Sequence, residues 1–393
     1  YSTEDSPVEI NKVAYDFITQ YYNNLKSGFA TGDWTGADKS LQAMVDYQHE
    51  WGKNVIPSDA KVNLEVMYNK VNIFFWLMIV YSMLGGVLIF LAFIEVFSTE
   101  NRLGKIIHKA TLFFLGLLGL AFLVHLLGLA ARWYLSGHAP WSNGYEAIVF
   151  ISSIGVLSGL ILYRNRNAFI PAAGAIVAMI MMGFAHGGGL LDPQITPLVP
   201  VLKSYWLMVH VGIITSSYGF FGLSAVIGII SLILLCFKPT PKIKKSIQEI
   251  TIVSEMASTI GLFALTVGTF LGGMWANESW GRYWSWDPKE TWAFISVIVY
   301  AIVLHLRLVP GLRGKWAFNM ASMWAIWSII MTYFGVNYYL SGLHSYAAGD
   351  PIPIPAWIYY TVAFMLILSL ISYFRDKKFN QKKNKKIKKD ETS

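Results

Sequence analysis

The chain carries a single cysteine, Cys236, in 393 residues. A lone thiol excludes a disulfide framework, a CxxC redox pair and a CxxCH thioether-attachment site within the chain itself. Charge is scarce too: 14% of residues are charged and 55% are hydrophobic. A soluble chain of this length could not hide so much apolar surface. The composition therefore implies an all-α, polytopic helical membrane protein. Hydrolase and phosphate-binding motifs are also missing. There is no HExxH and no serine-nucleophile elbow, and Gly187-Gly188-Gly189 is followed by no Lys-Ser/Thr pair. The sequence opens on Tyr1 without an initiator methionine or a signal peptide, and reads as a processed product or the C-terminal part of a longer polypeptide.

What the chain has in quantity is long apolar runs. Nine are expected to span a bilayer, at about 72–97, 110–131, 145–163, 168–185, 205–237, 251–275, 290–309, 318–340 and 354–374, because about 20 residues at ~1.5 Å rise cross the hydrocarbon. Ahead of them, residues 1–71 are polar with amphipathic helical patterning, turning at Thr31-Gly32-Asp33 and near Pro57; they read as a small external soluble segment. Behind the runs, residues 375–393 form a basic tail, expected to meet anionic lipid or to be disordered.

A net charge of +8 invites a nucleic-acid reading, but its distribution refutes it. One set of alternate connections, with the tail, holds 21 lysines and arginines, including Arg102, Lys105, Arg164, Lys238, Arg307 and Arg313. The opposite set holds four: Arg132, Lys203, Arg282 and Lys289. By the positive-inside rule the richer set is cytoplasmic, which places the N-terminal segment on the periplasmic side of a bacterial inner membrane and the C-terminus in the cytoplasm.

The densest aromatic stretch is WGRYWSWDPKETW, with Trp280, Gly281, Tyr283, Trp284, Trp286, Asp287 and Trp292, between two apolar runs. Tryptophan is enriched at any membrane boundary, which accounts for one or two per helix end. Four here suit a flat aromatic platform for a large planar ligand better. Asp287-Pro288-Lys289-Glu290 reads as a helix start, with Asp at the N-cap, Pro at the first helical position and Glu closing a capping box.

Two histidines are expected on the same external face as this stretch. His210 is about five residues into the fifth run, and His344 lies in the loop SGLHSYAAGDPIP after the eighth. A single histidine near an interface is more often a hydrogen-bonded structural residue. Two beside an aromatic surface are what bis-histidine ligation of a heme iron needs. His305 lies deep in the seventh run, and an ionisable group there is a functional candidate. His125, in the second run, fits packing or helix–helix hydrogen bonding equally well. His138 and His186 fall in external loops, whereas His49 and His108 read as solvated.

The tryptophan stretch resembles the WWD signature of the heme-handling cytochrome c assembly family, of CcsA/ResC type and including fused CcsBA-type cytochrome c synthases. TPLVPVLKSYWLMVHV (Thr196 to Val211) and LSGHAPWSNGYE (Leu135 to Glu146) are similar to further passages of those proteins. The resemblance covers Asn72 to the last run. It implies cytochrome c biogenesis, with heme b ligated by His210 and His344 at the external face. It implies a second, intramembrane heme position at His305, completed by a CcsB/ResB-type partner half, fused or separate. It further implies covalent attachment to an apocytochrome c bearing CxxCH, as in a holocytochrome c synthase, with Lys289 a candidate neighbour of a propionate. A heme exporter without attachment activity and a b-type electron carrier remain alternatives.

Overall fold

The computed structural model describes residues 8–98, 101–163, 167–187, 191–198, 204–340, 342 and 354–391, which are helical with no strand among them. The chain divides into two compact units, Tyr1–Lys70 and Val71–Ser393.

The first unit begins with α1 (Val8–Thr31), α2 (Thr35–Trp51) and α3 (Asp59–Val71). Gly32 ends α1 with a φ of 76°, a left-handed conformation open to glycine without strain. Asp33 then accepts the backbone N–H of Thr35 (3.0 Å) and its hydroxyl; these bonds hold the Asp33 carboxyl below its ordinary range. Helices α1 and α2 are joined by Phe17 against Tyr47 (5.2 Å) and by Asn24 donating to Ser40 Oγ (2.6 Å).

The second unit is the membrane bundle: α4 (Ile73–Phe97), α5 (Asn101–Ser136), α6 (Gly144–Ile161), α7 (Phe169–Gly187), α8 (Tyr205–Leu235), α9 (Pro241–Trp280), α10 (Pro288–His305), α11 (Lys315–Ile330), α12 (Val336–Tyr339) and α13 (Ala356–Glu391). Among the described residues, eight helices are long and apolar enough to cross a membrane, against nine expected. The difference is the eighth run, which is not one regular helix. It consists of α11, a π-helical turn at Met331–Gly335, and α12, of 16, 5 and 4 residues. Thr332 in that turn donates to the carbonyls of Ser328 (2.7 Å) and Trp292 (3.1 Å) and shares a hydrogen bond with Ser296 (3.0 Å), so a neighbouring helix competes for its hydroxyl. The interrupted path still extends about 37 Å at ~1.5 Å per residue, enough to cross. At the other extreme α9 has 40 residues and at about 60 Å outreaches a ~30 Å hydrocarbon core. Helix α13 runs on through the basic tail to Glu391 instead of stopping near residue 374.

Lipid offers no hydrophobic drive between apolar helices, so close backbone approach and hydrogen bonds hold them together. Gly155 and Gly159 on α6 meet Gly174 on α7; a methyl group at 174 would lie 2.6 Å from the Gly155 carbonyl oxygen. Helix α8 is central. Its Ser224 hydroxyl bonds to both Ser254 and Ser258 of α9 at 2.8 Å. One core layer joins Phe169, Leu223, Ile227 and Ile250, and another joins Phe221, Leu265, Tyr300 and Ile329. Large apolar side chains such as Phe113, Leu127, Phe263 and Phe270 face outward, as a lipid-facing surface requires.

Candidate functional site

The start of α8, the end of α9 and the start of α10 meet at one end of the bundle. His210 lies in the second turn of α8, and its ring stacks on Trp275 of α9, centroids 5.7 Å apart and planes 16° apart. Trp275 is itself buried. Gly272, one turn back on α9, makes room for the imidazole: a methyl group there would lie 3.0 Å from His210 Nδ1. On the flank of α8, Trp141 donates its indole N–H to the Met208 carbonyl (2.9 Å) and its ring covers Gly212. His210 thus stacks on a buried tryptophan of α9, while Trp141 braces the same stretch of α8 through Met208 and Gly212. The Ser204 hydroxyl donates to the Glu278 carboxylate and ties the start of α8 to the end of α9.

Helix α9 closes on Gly281, whose φ is 69° and whose N–H donates to the Asn277 carbonyl (2.9 Å). The aromatics that follow do not form the flat platform expected from sequence. Trp280 meets Trp275 edge-on (4.8 Å, 65°). Trp284 is perpendicular to Trp286 (5.8 Å, 89°) and nearly so to Phe294 (6.4 Å, 80°). Ring quadrupoles favour such edge-to-face pairs over a coplanar sheet. Trp286 is 68% exposed and Tyr283 59%, whereas Trp292 is half-buried in the first turn of α10.

The helix start at α10 has the expected capping box: the Asp287 carboxylate accepts the Lys289 N–H (3.1 Å), and Glu290 accepts the Asp287 N–H (3.3 Å). Lys289 reaches Asn337 Oδ1 (2.9 Å) and so links α10 to α12. Gly342 lies against this cap, where any side chain would run into the Asp287 carboxylate and the Pro288 ring. The chain is therefore brought to the start of α10 two residues before His344. His344 itself lies outside the described residues.

The other histidines separate by their partners. His125 is fully buried; its Nε2 lies 3.2 Å from the Val149 carbonyl and its Nδ1 3.2 Å from the Tyr81 hydroxyl. A carbonyl can only accept, so Nε2 carries the proton and Nδ1 accepts from Tyr81. Both nitrogens are engaged, and the residue joins α4, α5 and α6. His305 lies near the end of the apolar span Pro288–Leu308. It is the last residue of α10, and it is exposed. Its Nδ1 donates to the Ala301 carbonyl (2.7 Å), which puts the lone pair on Nε2. Arg307, just beyond, pairs with Glu255 of α9. His186 donates to the Met182 carbonyl (2.9 Å) and faces Tyr145.

Sequence reasoning missed three features of this end. Trp275 and Trp141 each lay in a stretch already singled out, but which ring meets His210 depends on tertiary pairing. The third is Arg132, counted only as a loop charge. It is buried with Glu146, Nε to Oε1 2.8 Å, and donates to the carbonyls of Pro193 (2.9 Å) and Gln194 (3.1 Å). Glu146 also accepts the Ser142 N–H (3.0 Å). The signal was an arginine closing one apolar run and a glutamate opening the next. Among the described residues, no cluster of three or more His, Cys, Asp or Glu side chains is arranged to hold a bare metal ion.

Residues 141–344 match the family model described as Cytochrome C assembly protein. Protein NrfI of Wolinella succinogenes is 44% identical over 351 residues, covering 89% of this chain; the chain spans only 38% of that relative's length. Cytochrome c biogenesis protein CcsA of Pyropia yezoensis is 33% identical over 331 residues, 72% of this chain and 99% of that protein. Among solved structures, the cytochrome c heme lyase CcmF superposes with a TM-score of 0.50 at 17% identity, over 78% of this chain and 50% of that one. That likeness is one of fold alone.

Proposed function

The chain belongs to the cytochrome c assembly protein family, and from that premise we propose that it binds heme b where α8, α9 and α10 meet and holds it for covalent attachment to an apocytochrome c bearing CxxCH. The observation that carries this reading is His210: an imidazole stacked on a buried tryptophan, with glycine beneath it. The residues fit the group. An oriented imidazole is an iron ligand, and the exposed Trp286 and Tyr283 of the segment that follows α9 offer apolar faces for a porphyrin. When bound, heme supplies the vinyl groups across which the two cysteine thiols add.

The chain's own residues bind and orient. His210 and His344 would supply ligands to the iron, Trp275 holds the His210 ring in place while Trp141 braces the start of α8, and the segment from Trp280 to Trp292 sets the rim of the site. No general base is needed in this scheme; proximity and orientation are the contribution. The tryptophan-rich stretch thereby acts as the WWD segment of the family. The site faces the periplasm across a bacterial inner membrane, a placement supported by the bias of lysine and arginine towards the opposite loops. His305, with its Nε2 lone pair on the outer surface of the bundle, supplies half of a second heme position that a CcsB/ResB-type partner half completes, fused or separate.

Purified protein together with its partner half, given heme and a CxxCH peptide, tests the proposal. Thioether-linked heme on the peptide, lost in His210→Ala, is the expected product. Non-covalent heme delivery alone would favour an exporter, and no heme uptake would end the proposal.

A further inference from the structure

Trp286 has a φ of 60°, a left-handed conformation that strains any bulky L residue. Its ring is 68% exposed, so burial of the side chain does not offset the strain. What holds the turn is Glu290. Its Oε2 accepts the backbone N–H of Ser285 (2.8 Å), the Ser285 hydroxyl (3.2 Å) and the backbone N–H of Asp287 (3.3 Å). From the other side, the Thr291 hydroxyl donates to the Trp286 carbonyl (3.1 Å). A capping box needs only the bond to the N-cap amide of Asp287; the two bonds from Ser285 are additional. Two amides on either side of a left-handed residue converge on one anion, which is the geometry of a backbone nest. Here the anion is the chain's own.

We propose that Glu290 is a positioning residue for Trp286: its carboxylate locks the strained turn that projects this indole out of the bundle, perpendicular to Trp284, as a wall against which heme rests. The inference depends on the heme site proposed above and assigns what fixes its most exposed ring. A carboxylate serves better than a neutral acceptor, because charge-assisted bonds to three donors are stronger.

Heme titration of the purified full chain, followed by absorption, tests it with Trp286→Ala, Glu290→Ala, Glu290→Gln and the double variant Glu290→Ala/Trp286→Ala. Trp286→Ala and Glu290→Ala should each weaken affinity about tenfold, the scale of losing a supporting partner. Glu290→Gln should fall between them and the parent, with its heme band displaced in the same direction as in Trp286→Ala. The double variant should bind no more weakly than Trp286→Ala. Additive losses would overturn the proposal, since Glu290 would then act on its own. Should Glu290→Ala not fold, Glu290→Gln decides: its loss should vanish in the Trp286→Ala background, and an undiminished loss overturns the idea. If His210→Ala abolishes binding while the Trp286 and Glu290 variants do not alter it, only this inference fails. If the parent chain takes up no heme, or His210→Ala binds as tightly as the parent, the heme site itself is refuted.

Discussion

The two ends of the bundle are built differently. At the end where α8, α9 and α10 meet, His210 is stacked on Trp275, Trp141 is bonded to Met208, and Arg132 is buried with Glu146 and two loop carbonyls. At the opposite end, His305 is exposed and Arg307 meets Glu255 in a pair that is open to its surroundings. His125, between them, has both ring nitrogens taken up by the protein. All three histidines sit on apolar runs and look alike in sequence. Their partners separate them into a ring stacked on a buried tryptophan, a surface donor and an internal strut.

The largest expected effect comes from His210→Ala. Heme affinity should fall by at least the ~10–100-fold that follows loss of a ligand's supporting partner, measured by titration in detergent, with little change in thermal stability.

Breaking the Arg132–Glu146 pair tests whether the rigidity of that end resides in one buried contact. Glu146→Ala leaves a buried guanidinium without its carboxylate, and thermal unfolding should show a loss of about 3–5 kcal/mol. Replacing both partners, as Arg132→Met/Glu146→Leu, should recover much of that loss. If the single and double variants are equally damaged, packing and not charge is the contribution.

His125→Leu sharpens the contrast between strut and ligand. It orphans the Val149 carbonyl and the Tyr81 hydroxyl, so stability should drop by about 1–3 kcal/mol while heme affinity stays unchanged. Loss of heme in this variant would move the site into the bundle. Thr332→Val, which removes the bonds to Trp292 and Ser328, should cost about 1 kcal/mol. The smallest effect belongs to His305→Ala, expected within about 0.5 kcal/mol of the parent in stability, as for other surface positions. A disappearance of the heme spectrum there would reverse the comparison between the two ends.

Much of this could be read from the sequence where a local rule decides. Apolar runs near 20 residues mark crossings because lipid cannot satisfy a bare backbone, and the Asp287–Glu290 box needs only its own four residues. Several of the failures required a second element. The π turn in the eighth run contains Thr332, whose hydroxyl bonds to the Trp292 carbonyl of a neighbouring helix. The stack of His210 on Trp275 depends on the register of α8 against α9. Periodicity places Trp275 on a helix but does not choose its neighbour. Gly281 in the tryptophan stretch is left-handed, a conformation glycine adopts without strain. Trp286 is the other, which no propensity would select. His344 lies outside the described residues, so its part in the site rests on the sequence.

The most direct measurement is the absorption spectrum of the purified, heme-supplied chain, oxidised and after dithionite, beside His210→Ala and His344→Ala. A six-coordinate low-spin spectrum in the parent that becomes five-coordinate or weak in each variant is the predicted result. A heme-loaded protein whose spectrum is indifferent to both substitutions would contradict the site described here.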